Sequence, residues 1–209
     1  MPLIPRLWLL LLLALPAAPA VAGNEAFRLD PVHTRVAFRV DHAGLSRAVG
    51  TFAGATGVLE FDPEDWRAAR LEVRLPLSSL DLGDADWTRK VLAPAFLDAG
   101  DHPEAHFVST AVEPIGPDQA RVTGQLSLRG RSHPVVLDVR LNALKRHPLT
   151  FRRTAGFSAT ARLDRRSFGI DTWPNVIGHE VELLIEAEAI HDRGAAAPAA
   201  PETDDADPQ

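Results

Sequence analysis

Between about Ala26 and Ile190 the hydrophobic positions recur every second residue, the spacing of strands with one face buried and one face in water. Val36, Phe38 and Val40 alternate with Arg35, Ala37, Arg39 and Asp41. The same pattern runs through Leu71, Val73 and Leu75, through Val122, Gly124, Leu126 and Leu128, and through Val135, Leu137, Val139 and Leu141. It returns in Phe157, Ala159, Ala161 and Leu163 and closes with Val181, Leu183, Ile185, Ala187 and Ala189. Turn-forming residues separate the runs at Asp62-Pro63, Pro114 to Asp118, Gly130 to Pro134, His147-Pro148 and Trp173 to Gly178. Many short strands at even spacing predict an antiparallel sandwich or barrel in one domain. One segment differs. Residues 84–93 open on an Asp cap, carry Arg89 and Lys90 toward their end and stop at Pro94, which predicts a short helix continued irregularly to Asp98.

The ends of the chain read differently. Residues 1–22 hold Arg6, an apolar run from Leu7 to Leu15 and small residues ending Ala20-Val21-Ala22. That run is too short to span a bilayer and predicts a secretory signal peptide cleaved after Ala22, which places the mature protein in the periplasm. Residues 194–209 are rich in Ala and Pro, then acidic, and predict a disordered tail, so the folded domain is expected over residues 23–193.

Composition narrows the chemistry. A net charge of −6 opposes nucleic-acid binding, and the lack of Cys excludes disulfides, thiol catalysis and thiolate metal sites. Charged residues on one strand face and apolar ones on the other, with no Tyr, favour a soluble sheet over a membrane-spanning barrel. His102 and His106 are four apart, but Pro103 denies them a shared helical face, and no metal site is expected. Gly156 to Thr160 lacks the second Gly of a nucleophile elbow, and Gly50 to Gly57 lacks the Lys of a phosphate loop. The expected protein is therefore not an enzyme and needs no cofactor.

Several segments together resemble the YceI family of periplasmic polyisoprenoid-binding proteins. They are Asp30-Pro31-Val32-His33 through His42, then Leu45 to Phe52, Ser78 to Asp81, His102 to Thr110, Val122 to Gly130, Leu163 to Ile170, and Val181 to Ala189. The resemblance implies an all-β, lipocalin-like barrel of eight antiparallel strands, holding a long-chain isoprenoid lipid in its interior tunnel; a quinone-like ligand and an inner-membrane donor or acceptor are further candidates, and the sequence itself is silent on what loads or receives the lipid. Thr34 stands where the family usually has Ser. Ala53 to Thr56 replaces the usual aromatic residue, which changes the bore of the tunnel.

Strand parity then selects the candidate lining: Val36, Phe38, Val40, Phe52, Leu75, Phe107, Leu126, Ala159, Ala161, Phe168 and Leu183. His42, Arg165, Ser167 and Trp173 are the polar candidates at the mouth. Small inward residues such as Gly124, Ala105 and Ala161 either leave room for a ligand or admit a neighbouring ring such as Phe38, Phe107 or Phe168, and parity does not choose between the two. Two rival readings stay open: a barrel enzyme acting on a lipid-like substrate, with His42 or a cavity carboxylate as acid or base, and an interaction module of a membrane redox or stress system that uses its outer surface.

Overall fold

A computed structural model describes residues 23–195. The leader (residues 1–22) and the tail beyond residue 195 lie outside the described residues. In chain order the strands are β1 (Glu25–Leu29), β2 (Arg35–His42), β3 (Ser46–Ala53), β4 (Thr56–Phe61) and β5 (Arg70–Pro76). Helix α1 (Ala85–Leu92) follows. The remaining strands are β6 (Glu104–Pro114), β7 (Gln119–Leu128), β8 (Arg131–Arg146), β9 (Arg153–Asp164) and β10 (Ile177–His191).

Every pairing is antiparallel. The sheet runs β1-β4-β5-β6-β7-β8-β9-β10 and closes where β10 returns to β1, with Phe27 opposite His191 and Leu29 opposite Ala189. This is a closed all-β barrel of eight strands with one short helix.

Ten strand segments make eight barrel strands because two are bent. The edge of β10 that meets β1 over Ala189–His191 meets β2 between Ile177 and Glu186, so β1 and β2 are successive halves of one strand. Pro31 has no N–H to give the ladder, and the Asp30 carboxylate accepts from the Val32 and His33 amides to form the turn. β3 and β4 are likewise halves of one strand, broken at Gly54, whose φ of +72° suits a residue without a side chain. Across the two bends the pairing register shifts: Phe27 faces Leu59, but Phe38 faces Gly50.

The hairpin of β2 and β3 is laddered to the barrel on one side, through β2 to β10. Its free edge joins the rest of the wall through one isolated bridge, Thr51 with Asp81, and through the Ala53 amide donating to Ser79 Oγ at 3.1 Å. The segment between β5 and β6, including α1, covers that gap. Its helix forms as the sequence predicts, with the Asp84 carboxylate accepting from the Trp87 amide at 2.7 Å and Pro94 just past the end.

The interior is packed solid in one half. At the closed end Phe27, Phe61 and Trp66 are buried among Leu29, Leu59 and Ala189. The Phe61 ring meets Trp66 edge-on at 5.0 Å and Phe157 at 5.7 Å. A second cluster above it holds Phe107, Val122, Val135, Leu137, Ala161 and Phe168. The outer face is polar, as in the Glu182 carboxylate of β10 bound by Arg39 of β2 and Arg47 of β3. That arrangement is the reverse of a membrane-spanning barrel. Among the described residues no helix is long and apolar enough to cross a membrane.

Candidate functional site

Above the second cluster the barrel is hollow. A cavity of about 250 Å³ opens at the end formed by the β2–β3 turn, α1, residues 93–98 and the segment between β9 and β10. Its wall begins on β2, where alternation turns Val36, Phe38 and Val40 inward, and continues through Phe52 of β3, Leu75 of β5, Leu126 of β7 and Leu183 of β10. Among the described residues Asp41, His42, Lys90 and Arg165 are the only titratable side chains on this wall, and the rest of it is overwhelmingly apolar. Such a wall offers hydrophobic contact in quantity and few directional bonds.

Seven of the eleven residues selected by parity line this cavity: Val36, Phe38, Val40, Phe52, Leu75, Leu126 and Leu183. Phe107, Ala161 and Phe168 lie in the packed cluster beneath it, and Ala159 is buried outside the cavity wall. The cause is local. A Cβ on Gly124 would collide with Phe107 Cζ and lie 2.6 Å from Cε2 of that ring, so the bare glycine of β7 admits the aromatic ring of β6 instead of ligand. Gly50 does the same for the Phe38 ring, which is 2.5 Å from where its Cβ would stand. Ala105 is different: it stands on the cavity wall.

The mouth residues divide in the same way. His42 is exposed at the rim with its ring 6.4 Å from that of Trp87, and Trp173 meets Phe96 edge-on at 5.8 Å. Ser167 does not line the cavity. Arg165 does, but it is only 4% exposed and its guanidinium is engaged with backbone. It donates to the carbonyls of Gly178 at 2.8 Å and Ile177 at 2.9 Å and also to that of Ile170. One side chain thus ties both ends of the β9–β10 segment to the rim. Burial pushes its pKa below the ordinary guanidinium value, while Asp171 and Asp164 pull it back up. The neighbouring Arg166 points to solvent and holds Asp164.

Leu82, Trp87, Lys90, Val91, Phe96 and Leu97 also line the cavity and were not among the parity-selected residues. Their signal was present: α1 is the one α-helix among the described residues, and Trp87 and Val91 are four apart on it.

One other cluster has the donor types of a metal site. Asp30, His33 and Glu188 bring ligand atoms within 4.8 Å of one another outside the cavity, at the β1–β2 bend. His33 Nδ1 lies 2.8 Å from the Asp30 carboxylate, which raises the pKa of the imidazole. Burial pushes Asp30 up, but its bonds to His33 and to the Val32 amide outweigh that and leave it lowered. Asp30 and His33 already satisfy each other. The bend itself buries Thr34, whose hydroxyl has no partner.

The profile of the YceI-like domain matches residues 27–189, from the first barrel strand to the last. The chain belongs to the YceI family. Relatives within the family include a UPF0312 protein of Azotobacter vinelandii, 32% identical over 174 residues, which are 83% of this chain and 90% of that protein. Protein YceI of Escherichia coli O157:H7 is 31% identical over 177 residues, 85% of this chain and 92% of its own. Among solved structures, Burkholderia cenocepacia BcnA superposes with a TM-score of 0.67 at 23% identity, over 74% of this chain and 95% of that one. A polyisoprenoid-binding domain from Saccharophagus degradans, implicated in plant cell wall breakdown, gives 0.61 at 12% identity, over 80% of this chain and 99% of its own. At such identities the two structures establish that the YceI fold is shared.

Proposed function

We propose that this chain is a lipid-binding protein that holds the hydrocarbon of an isoprenoid, or of a similar long-chain amphiphile, in the hollow half of its barrel and carries it through the periplasm. The observation that carries this reading is the contrast between the two halves. Below, the space beside Gly124 is filled by the Phe107 ring in a packed cluster; above, an apolar cavity stays open to solvent at one rim. Membership of the YceI family and the polyisoprenoid-binding neighbour support the same conclusion.

Each methylene moved from water into this wall contributes about 0.8 kcal/mol before ordering costs. The volume of about 250 Å³ falls just under the range of about 300–1,000 Å³ usual for small-molecule sites. It houses a section of a long polyisoprenoid, with the remainder and the head group at the mouth beside His42, Lys90 and Trp173. Arg165 is assigned to holding the mouth segment in place. Cleavage after Ala22, release into the periplasm and exchange with an inner-membrane donor or acceptor belong to the same proposal. In this reading the protein performs no catalysis.

The test is native mass spectrometry of the protein recovered from its periplasm without detergent, followed by solvent extraction. One co-purifying lipid per chain is the expected result. A protein that arrives empty and takes up no added isoprenoid, fatty acid or quinone overturns the reading.

A further inference from the structure

The rim of the cavity carries large apolar side chains exposed to solvent. Leu45, at the tip of the β2–β3 turn, is 86% exposed, and Trp173 is 60% exposed. Trp87 of α1 and Val176 are exposed beside them. Three separate segments contribute these residues: backbone contacts join the β2–β3 turn to the β9–β10 segment, and the Trp87 ring of α1 stands 6.4 Å from that of His42 at the same opening. The Leu45 amide donates to the His42 carbonyl, the Ala43 amide to that of Val176, and the Val176 amide to that of Trp173.

Two residues of this rim are held at a conformational cost. Ala43 has a φ of +58° and Trp173 a φ of +49°, in the left-handed region that side chains with a Cβ avoid. The indole N–H of the buried Trp66 donates to Pro63, whereas those of Trp87 and Trp173 have no protein acceptor among the described residues. Lys90, at the same mouth, has no ion-pair partner among them either. A ring of Trp and Leu, with free indole donors and an unpaired ammonium, matches the boundary between acyl chains and phosphates in a bilayer.

We infer that this rim is a membrane-docking surface: Leu45, Trp87, Trp173 and Val176 enter the interfacial layer of a phospholipid bilayer, and Lys90 meets a lipid phosphate. The rim is continuous with the apolar wall below it, so a hydrocarbon chain passes from bilayer to cavity without crossing water. The docking stands on the chemistry of the rim, and the passage of a chain into the cavity rests on the carrier reading.

The test uses the chain from Gly23 onward, since every strand of the closed barrel lies within Glu25–His191. Three single-tryptophan variants, W87F/W173F, W66F/W173F and W66F/W87F, are mixed with phosphatidylethanolamine–phosphatidylglycerol vesicles whose acyl chains are brominated, after circular dichroism has checked each fold. Quenching of Trp87 and Trp173 but not of Trp66 is expected. In the parent chain, Leu45→Asp is expected to lower vesicle partitioning about tenfold or more. Leu149→Asp, at an equally exposed position at the closed end, is expected to leave it within about twofold.

Rim tryptophans that stay unquenched at saturating lipid overturn the inference. So does equal loss from Leu149→Asp, which moves the contact to the closed end. A concentration-dependent dimer that Leu45→Asp abolishes, without vesicle binding in the parent, overturns it in favour of a second copy. The vesicles contain no isoprenoid, so this result and the identity of any cargo fail independently.

Discussion

Replacing Gly124 with Ala and Ala105 with Leu separates the packed half of the barrel from the hollow one. A methyl group added at Gly124 would lie 2.5 Å from the Val108 carbonyl as well as against the Phe107 ring, and a carbonyl within a ladder cannot turn aside. Overpacking of this kind costs about 1–3 kcal/mol. In a domain of this size each kcal/mol lowers Tm by roughly 2–4 °C, so Gly124→Ala should lower it by roughly 2–12 °C. Ala105 instead stands on the open wall, and a Leu there adds three carbons to space that ligand would fill. Three displaced ligand methylenes at about 0.8 kcal/mol each amount to about 2.4 kcal/mol, or roughly fiftyfold in Kd. Titration with a fluorescent isoprenoid alcohol, beside thermal denaturation followed by circular dichroism, reads both effects. Gly124→Ala should move Tm and leave Kd nearly unchanged, and Ala105→Leu should do the opposite. If Ala105→Leu costs several degrees while binding is untouched, the cavity is not where the ligand sits and the reasoning fails.

Three further outcomes follow from particular contacts. Arg165→Met leaves three carbonyls without their donor and should cost about 2–5 kcal/mol in urea denaturation; a loss under about 0.5 kcal/mol would show that the β9–β10 segment is held by other means. Phe61→Ala, in the closed end, should cost about 3–5 kcal/mol while Kd measured well below its Tm stays at the parent value. The Arg166 side chain holds the Asp164 carboxyl down at about 2. A carboxylate depressed on folding adds stability that is complete above its unfolded value of 3.8 and is lost as pH falls toward 2. Asp164→Asn should therefore flatten Tm against pH over that window, by under about 1 kcal/mol because the pair is exposed.

Much of the fold is visible in the sequence because strand parity and breakers act locally. Asp84 and Pro94 bound the helix, and Phe38 faces inward for the same reason that Arg39 faces out, whereas the bends at Pro31 and Gly54 are not among the turns the sequence predicts. What parity cannot convey is the neighbour across the ladder. Gly124 and Ala105 have the same parity, yet Gly124 is filled by Phe107 and Ala105 is open, and the difference lies in the pairing of β6 with β7. Arg165 and Arg166 likewise look alike in sequence. The turn that follows β9 buries the first among three carbonyls and sends the second out to Asp164. The cavity residues of α1 and the segment after it were missed because strand alternation says nothing of a helix laid across a gap.

That gap has a mechanical consequence. At the closed end a continuous ladder makes the circumference of the barrel a fixed quantity. At the mouth the hairpin of β2 and β3 is laddered to β10 on one side, while its free edge, β3, is sewn to the wall through one bridge and one serine hydroxyl, so the hollow end behaves as a collar with a single clasp. Opening the clasp breaks few bonds and leaves the packed half untouched, and amides of β3 and of residues 77–98 should exchange with solvent well before those of β7 to β9. A container with one inextensible end and one adjustable end accepts cargoes of different girth without unfolding.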